Sequence, residues 1–243
     1  MHDGENRDIG GVPCIVMEPA AEPAGHVMLF HGWGSTMESY RFFASLIASW
    51  GYRVIVPELP LHGARGSIDY ADAAALQAHF WPVVRQGIRE AGAIVSELTA
   101  ESSVAVVGHS AGGFITAGAF AQYERVHAAA VINGSCAWVK FEEQYREKLG
   151  LPPMEAGDRD VLSREDPLSR IRLNPPKPLL LLHGQEDTTV PIDSQRYFMD
   201  EMSGASEHVQ FVEYSGVNHH ITLGMLQRIH AFLGISLPRG LQG

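Results

Sequence analysis

Gly108-His109-Ser110-Ala111-Gly112 places a serine between two glycines, each two residues from it. A serine hydroxyl is a poor nucleophile until a base takes its proton and the chain holds its oxygen exposed. A sharp strand-to-helix turn gives the exposure and leaves little room beside the serine, which favours glycine on both sides. Residues 104–107 (Val-Ala-Val-Val) read as the strand before the turn, and Ala-Gly-Gly-Phe starts a helix after it. The five-letter pattern alone is weak; its flanking elements carry the argument. The chemistry it points to is acyl transfer, which needs two backbone N–H donors for an oxyanion. One is Ala111. The other comes from the loop after an earlier strand, His31-Gly32-Trp33-Gly34, where the flanking glycines let Trp33 approach with its backbone.

An acid and a base must then lie downstream. Residues 179–182 (Leu-Leu-Leu-Leu) run into His183-Gly-Gln-Glu-Asp187-Thr-Thr-Val-Pro191, and Asp187 opens that turn. A carboxylate there would orient an imidazole and stabilise its protonated form. Glu186 and Asp193 compete for the role from less suitable places. With 12 histidines in the chain a single one says little. His31, His62, His109 and His183 sit at strand ends, where they line or brace a cleft. His219 and His220 follow Tyr214-Ser-Gly-Val-Asn218 after the last strand. His219 is preferred on its spacing from Gly216, which leaves His220 to start the final helix.

The elements that must hold these residues alternate along the chain. Strands are expected at 27–30, 53–56, 104–107, 128–132, 179–182 and 209–212, with 14–17 as an antiparallel edge strand. Helical spacing appears at 37–50 (Ser35 or Thr36 as cap), after Pro82 through Leu98 with the proline in the first turn, and at 111–123 and 221–233. The pattern is that of a mostly parallel sheet covered on both faces. Residues 58–72 read as a Pro- and Gly-rich loop. Residues 136–178 hold a charged helical piece at 141–149, then Pro152-Pro153 and Pro175-Pro176. That is more than a crossover needs, so it reads as a cap inserted into a single domain spanning 1–243.

Composition narrows the rest. The 243 residues are 45% hydrophobic and 19% charged, with a formal net charge of −10. An acidic chain without a basic patch argues against nucleic-acid and membrane-surface partners. No stretch has the roughly twenty apolar residues of a spanning helix, and residues 1–11 lack the apolar core of a signal peptide. Cys14 and Cys136 read as two buried free thiols in a reducing, cytoplasmic setting.

Taken in order, His31-Gly-Trp-Gly-Ser, the 51–63 segment ending Glu58-Leu-Pro-Leu-His-Gly63, Gly108-His-Ser-Ala-Gly-Gly, His183 to Pro191 and Gly216-Val-Asn-His219 resemble the α/β-hydrolase superfamily. They are most similar to small bacterial esterases of its prolyl-oligopeptidase-like and dienelactone-hydrolase-like branch. The likeness runs from residue 31 to 220. Glu58 departs from it, since many relatives carry Asp there. The resemblance implies an eight-stranded, mostly parallel sheet, no metal or organic cofactor, and hydrolysis through an acyl-enzyme. On this reading Ser110, Asp187 and His219 form a triad with the Trp33 and Ala111 amides as oxyanion donors, acting on a small-molecule ester. A thioester or an amide stays open as the bond cleaved, as does a non-catalytic binding or sensor role on the same scaffold. The aromatics of 136–178 (Trp138, Phe141, Tyr145) serve either an acyl pocket or a small core of the cap. The oligomeric state is open.

Overall fold

A computed structural model describes residues 4–173, 177–202 and 206–237. Its centre is one eight-stranded sheet: β1 Glu5–Ile9, β2 Val12–Met17, β3 His26–Phe30, β4 Arg53–Pro57, β5 Val104–His109, β6 Val126–Ile132, β7 Leu179–Gly184 and β8 Val209–Tyr214. The order across the sheet is β1-β2-β4-β3-β5-β6-β7-β8. The first two junctions, β1 to β2 and β2 to β4, are antiparallel, and the six strands from β4 to β8 are parallel. The eight-stranded, mostly parallel sheet that the resemblance implies is therefore present.

Both faces of the sheet are buried, and the strand sequences show why. In β7, Leu179 and Leu181 enter one apolar core while Leu180 and Leu182 enter the other. In β5, Val104 and Val106 divide from Ala105 and Val107 in the same way. A parallel strand covered on both sides has no polar face to keep, so its sequence is apolar throughout. One face carries α1 (Arg41–Ser49) and α8 (Leu223–Ser236); the other carries α2 (Ala73–Glu97), α3 (Ala111–Gln122) and α7 (Asp193–Glu201). The chain leaves β3 through α1 on one face and reaches β5 through α2 on the other. That reversal opens a crevice at the carboxyl ends of β3 and β5, the usual ligand position in open α/β sheets. Between β6 and β7 lie three helices, α4 (Trp138–Leu149), α5 (Ala156–Glu165) and α6 (Pro167–Leu173). The Pro175-Pro176 pair lies outside the described residues. Among the described residues, no helix is long and apolar enough to cross a membrane.

Three expectations need correction. The edge of the sheet is β1, not the strand around 14–17, which has neighbours on both sides. β1 is polar and exposed, Glu-Asn-Arg-Asp-Ile, so it has no apolar signal; charge on an edge strand also discourages pairing with other chains. A two-residue turn of Gly10 and Gly11, both at positive φ, joins it to β2. Helix α2 starts nine residues before Pro82, so the proline is interior; the Asp72 carboxylate caps the true start by accepting the Ala74 and Ala75 N–H groups. The last helix begins at Leu223 with the Thr222 hydroxyl as cap, and His220 belongs to the loop before it. Helix α7 was not expected; its residues Asp-Ser-Gln-Arg-Tyr-Phe-Met-Asp-Glu offer one buried face narrowed to Ser194, Gln195 and Phe198.

Candidate active site

Ser110 follows β5 directly and stands at the N-cap of α3 with φ 58° and ψ −124°, a left-handed conformation that a side chain rarely adopts. Its N–H donates to the Ile132 carbonyl (3.0 Å), and its carbonyl accepts the Gly113 and Phe114 N–H groups, so strand end and helix start are joined at this residue. The glycines of the motif are required by contact. A Cβ on Gly108 would collide with the Gly112 carbonyl, and one on Gly112 with the Phe30 and His31 carbonyls. The elbow is pressed against the end of β3.

Ala111 is the first residue of α3, and first-turn amides have no acceptor within their own helix. Trp33 sits in a turn closed by the Ser35 N–H donating to Gly32 O (3.2 Å). Several neighbours hold that turn. Gly34 N–H donates to His62 Nε2 (3.1 Å), while His62 Nδ1 donates to Pro60 O (2.8 Å). The Trp33 indole N–H donates to Tyr70 O (3.3 Å), and His62 stacks on the Tyr70 ring. His31 is fully buried, with Nε2 2.9 Å from Glu58 Oε1, and the same oxygen accepts the Met37 N–H (3.1 Å). The longer reach of Glu58 thus joins the loop after β3 to the segment leading into α1. The histidines at 31 and 62 are braces.

Asp187 and His219 come together. Asp187 Oδ2 accepts His219 Nδ1–H at 2.7 Å, and Oδ1 accepts the Thr189 and Val190 N–H groups (2.9 and 2.8 Å). His183 Nε2 lies 3.5 Å from Oδ2 and donates to Val190 O (2.8 Å). Burial pushes the Asp187 carboxyl up, but hydrogen bonds from His183 and His219, the His219 charge and the Val190 amide outweigh it, holding it well below the usual carboxylate range. The competing carboxylates are elsewhere: Glu186 accepts Gly216 N–H, and exposed Asp193 faces Arg196. His220 is exposed, while the His219 side chain keeps 17% of its surface accessible.

The residue next to the serine locates His219. The His109 ring lies 4.9 Å from the His219 ring, centre to centre, so the Asp187–His219 pair stands beside the elbow. Burial, then the charge of His219, lowers the His109 pKa to about 3, which keeps the ring neutral. Its Nδ1 is 3.0 Å from the Tyr40 hydroxyl.

The sequence did not single out three residues that fix this geometry. Asn218 Oδ1 accepts from His219 N–H (2.7 Å) and Thr188 N–H (3.0 Å), joining the loops after β7 and β8. Asn133, at φ 46°, accepts Gly184 N–H on Oδ1 (3.0 Å) and donates its own N–H to Leu182 O. Tyr40 is the third. A left-handed Asn at a strand end is a usable signal; the Tyr40 contact, 69 residues from its partner, has none.

Ser110 opens on a cavity of about 570 Å³. Trp33 lines it from the loop after β3, and Phe141 and Tyr145 line it from α4. Trp138 does not; it is buried against Trp81.

The model of the prolyl oligopeptidase family matches residues 38–233. Two bacterial proteins align over most of their length: YitV of Bacillus subtilis is 29% identical, covering 89% of this chain and 92% of its own, and the esterase YjfP of Escherichia coli is 27% identical, covering 90% and 92%. Among solved structures, TT1662 from Thermus thermophilus superposes with a TM-score of 0.83 at 21% identity, covering 98% of this chain and 99% of its own. A puromycin-hydrolysing peptidase of Mycobacterium tuberculosis gives 0.72 at 24% identity, with all of this chain matching 40% of that one. The likeness to these structures is one of fold, the α/β-hydrolase fold.

Proposed function

This chain belongs to the prolyl oligopeptidase family and is a serine hydrolase, and from that premise we propose that it cleaves carboxylic esters through an acyl-enzyme on Ser110. The carrying observation is the 2.7 Å Asp187–His219 pair, on the loops after β7 and β8, standing beside the strained elbow at the end of β5. His219 takes the Ser110 proton as the hydroxyl attacks the ester carbonyl. Asp187, ionised across the working pH range, holds the ring with Nδ1 protonated and stabilises the imidazolium. The Trp33 and Ala111 amides take the oxyanion. His219 then gives the proton to the leaving alcohol, and water repeats the cycle on the acyl-enzyme. The names of the bacterial relatives favour an ester, hence a small-molecule substrate.

The chain is taken as one domain, with residues 136–178 as its cap over the cavity. Cys14 and Cys136 are buried and free, which supports a reducing compartment, and we assign the protein to the cytoplasm. Turnover of p-nitrophenyl butyrate tests the chemistry. Ser110→Ala should lower kcat by at least about 10⁴-fold with the circular dichroism spectrum unchanged; a variant that keeps a tenth of the activity contradicts the assignment. In a panel with acyl-thioesters and aminoacyl amides, the ester should give the highest kcat/KM.

A further inference from the structure

At about 570 Å³ the cavity beside Ser110 is of the size that takes a small organic ligand. Its inner wall is apolar and comes from several elements: Trp33, then Phe80 and Trp81 from α2, Phe141 and Tyr145 from α4, and Leu162 from α5. Charged side chains reach the cavity already engaged. Arg85 donates to Glu165 (2.6 Å), and Arg146 donates to Glu142 (2.7 Å) and to Pro152 O (3.0 Å). The other Glu142 oxygen accepts the Trp81 indole N–H (3.0 Å). Lys148 donates to the neutral Thr188 O (2.7 Å) at the exposed mouth, which Asp158 also lines. Inward of that mouth the charges are already paired with each other, and taking an unpaired carboxylate or ammonium out of water along the aromatic wall is costly. Two aliphatic side chains on the same mouth are exposed, Leu149 at 46% and Val161 at 38%. One exposed aliphatic is ordinary. Two on the lip of an apolar cavity carry its wall outward.

We propose that this cavity receives the acyl part of the ester, and that this part is a neutral apolar chain running from Ser110 toward the lip at Leu149 and Val161. The inference rests on Ser110 being the nucleophile. The acyl half remains bonded to Ser110 while water attacks, so a walled apolar cavity favours it in both steps; the alcohol departs after the first. In the first step the Ser110 Oγ–acyl bond forms as the alcohol leaves with the proton carried by His219. In the second, water adds to the acyl carbon, its proton returns to Ser110 Oγ, and the carboxylic acid is released.

p-Nitrophenyl esters keep the leaving group constant while the acyl part varies. From acetate to octanoate kcat/KM should rise at least tenfold, and the suberate half-ester, of equal length but ending in a carboxylate, should fall at least tenfold below octanoate. Leu149→Asp and Val161→Asp change exposed positions and should each lower the octanoate-to-acetate ratio at least threefold. A flat or falling series overturns the proposal. So does a suberate half-ester that equals octanoate, or a length dependence seen only when the alcohol of acetate esters is extended. Ser110→Ala in the same assays separates the two levels. If it stays active, the nucleophile assignment fails; if it is dead while the acyl series is flat, only the cavity inference fails.

Discussion

Around Ser110 the strand ends are joined by backbone bonds, to which the Asn133 and Asn218 side chains add: Ser110 N–H to Ile132 O, Asn133 N–H to Leu182 O, Gln185 N–H to Tyr214 O and Glu186 N–H to Val217 O join the ends of β5 through β8 one after another. Helices α4 to α6, across the cavity, are held by side chains. Asp166 is their main joint, its carboxylate accepting Val139 N–H (2.9 Å) from α4 and Leu168 N–H (3.0 Å) from α6. Exposed pairs such as Arg159–Glu143 add to it, and surface pairs of this kind contribute little, about 0–1 kcal/mol each. Backbone ladders on a two-sided sheet place atoms with little dependence on individual side chains. A set of side-chain contacts tolerates substitution at each of them. The first region suits chemistry, which needs fixed geometry, and the second suits the choice of substrate.

Substitutions in the two regions should therefore read out differently. The largest effect is expected at Asp187→Asn, which leaves the shape but not the charge and should reduce kcat by about 10⁴-fold. An effect under tenfold would place the site's geometry outside the Asp187–His219 pair. Gly112→Ala comes next: its methyl would meet the carbonyls at the end of β3, so stability should fall by about 1–3 kcal/mol in urea unfolding, with loss of turnover. The same ionisation predicts a pH effect. Asp187 titrates lower in the native state than in the unfolded chain, so its contribution is complete above about pH 4, the ordinary carboxylate value, and is lost progressively as pH falls below that value toward the lower native one. Midpoints of unfolding measured from pH 3 to 6 should show a shallower acid decline in Asp187→Asn than in the parent. Across the cavity, Asp166→Ala should cost about 1–2 kcal/mol through its lost caps while kcat on a short ester stays within a fewfold. The smallest change is expected for Trp81→Phe, which removes one indole N–H bond to Glu142 and should shift KM alone. A Trp81→Phe or Asp166→Ala protein with kcat lowered a hundredfold would erase the distinction between the two regions.

Legibility in the sequence follows the same division. The strands read clearly because burial on both faces forces apolar runs, as in Leu179 to Leu182. The elbow reads clearly because the contacts at Gly108 and Gly112 admit no side chain. The region across the cavity reads poorly. Residues 156–165 form a helix from Ala-Gly-Asp-Arg-Asp-Val-Leu-Ser-Arg-Glu with a single buried side chain, Leu162, so there is no stripe to count. Phe141 and Tyr145 divide from Trp138 only through tertiary packing. β1 was missed for the converse reason: its pairing lies in backbone bonds to β2, and its exposed side chains carry no record of them. Glu58 could be noticed as a departure but not interpreted, because its partners His31 and the Met37 amide are 27 and 21 positions away in the chain.

The central claim is that Ser110 is a nucleophile activated by the Asp187–His219 pair, and a fluorophosphonate probe tests it without reference to substrate. Labelling followed by peptide mass spectrometry should place one adduct on Ser110 in the parent protein, with the rate of labelling reduced at least a hundredfold in His219→Ala and Asp187→Asn. An unlabelled Ser110, or labelling that proceeds at the parent rate in both variants, would contradict it.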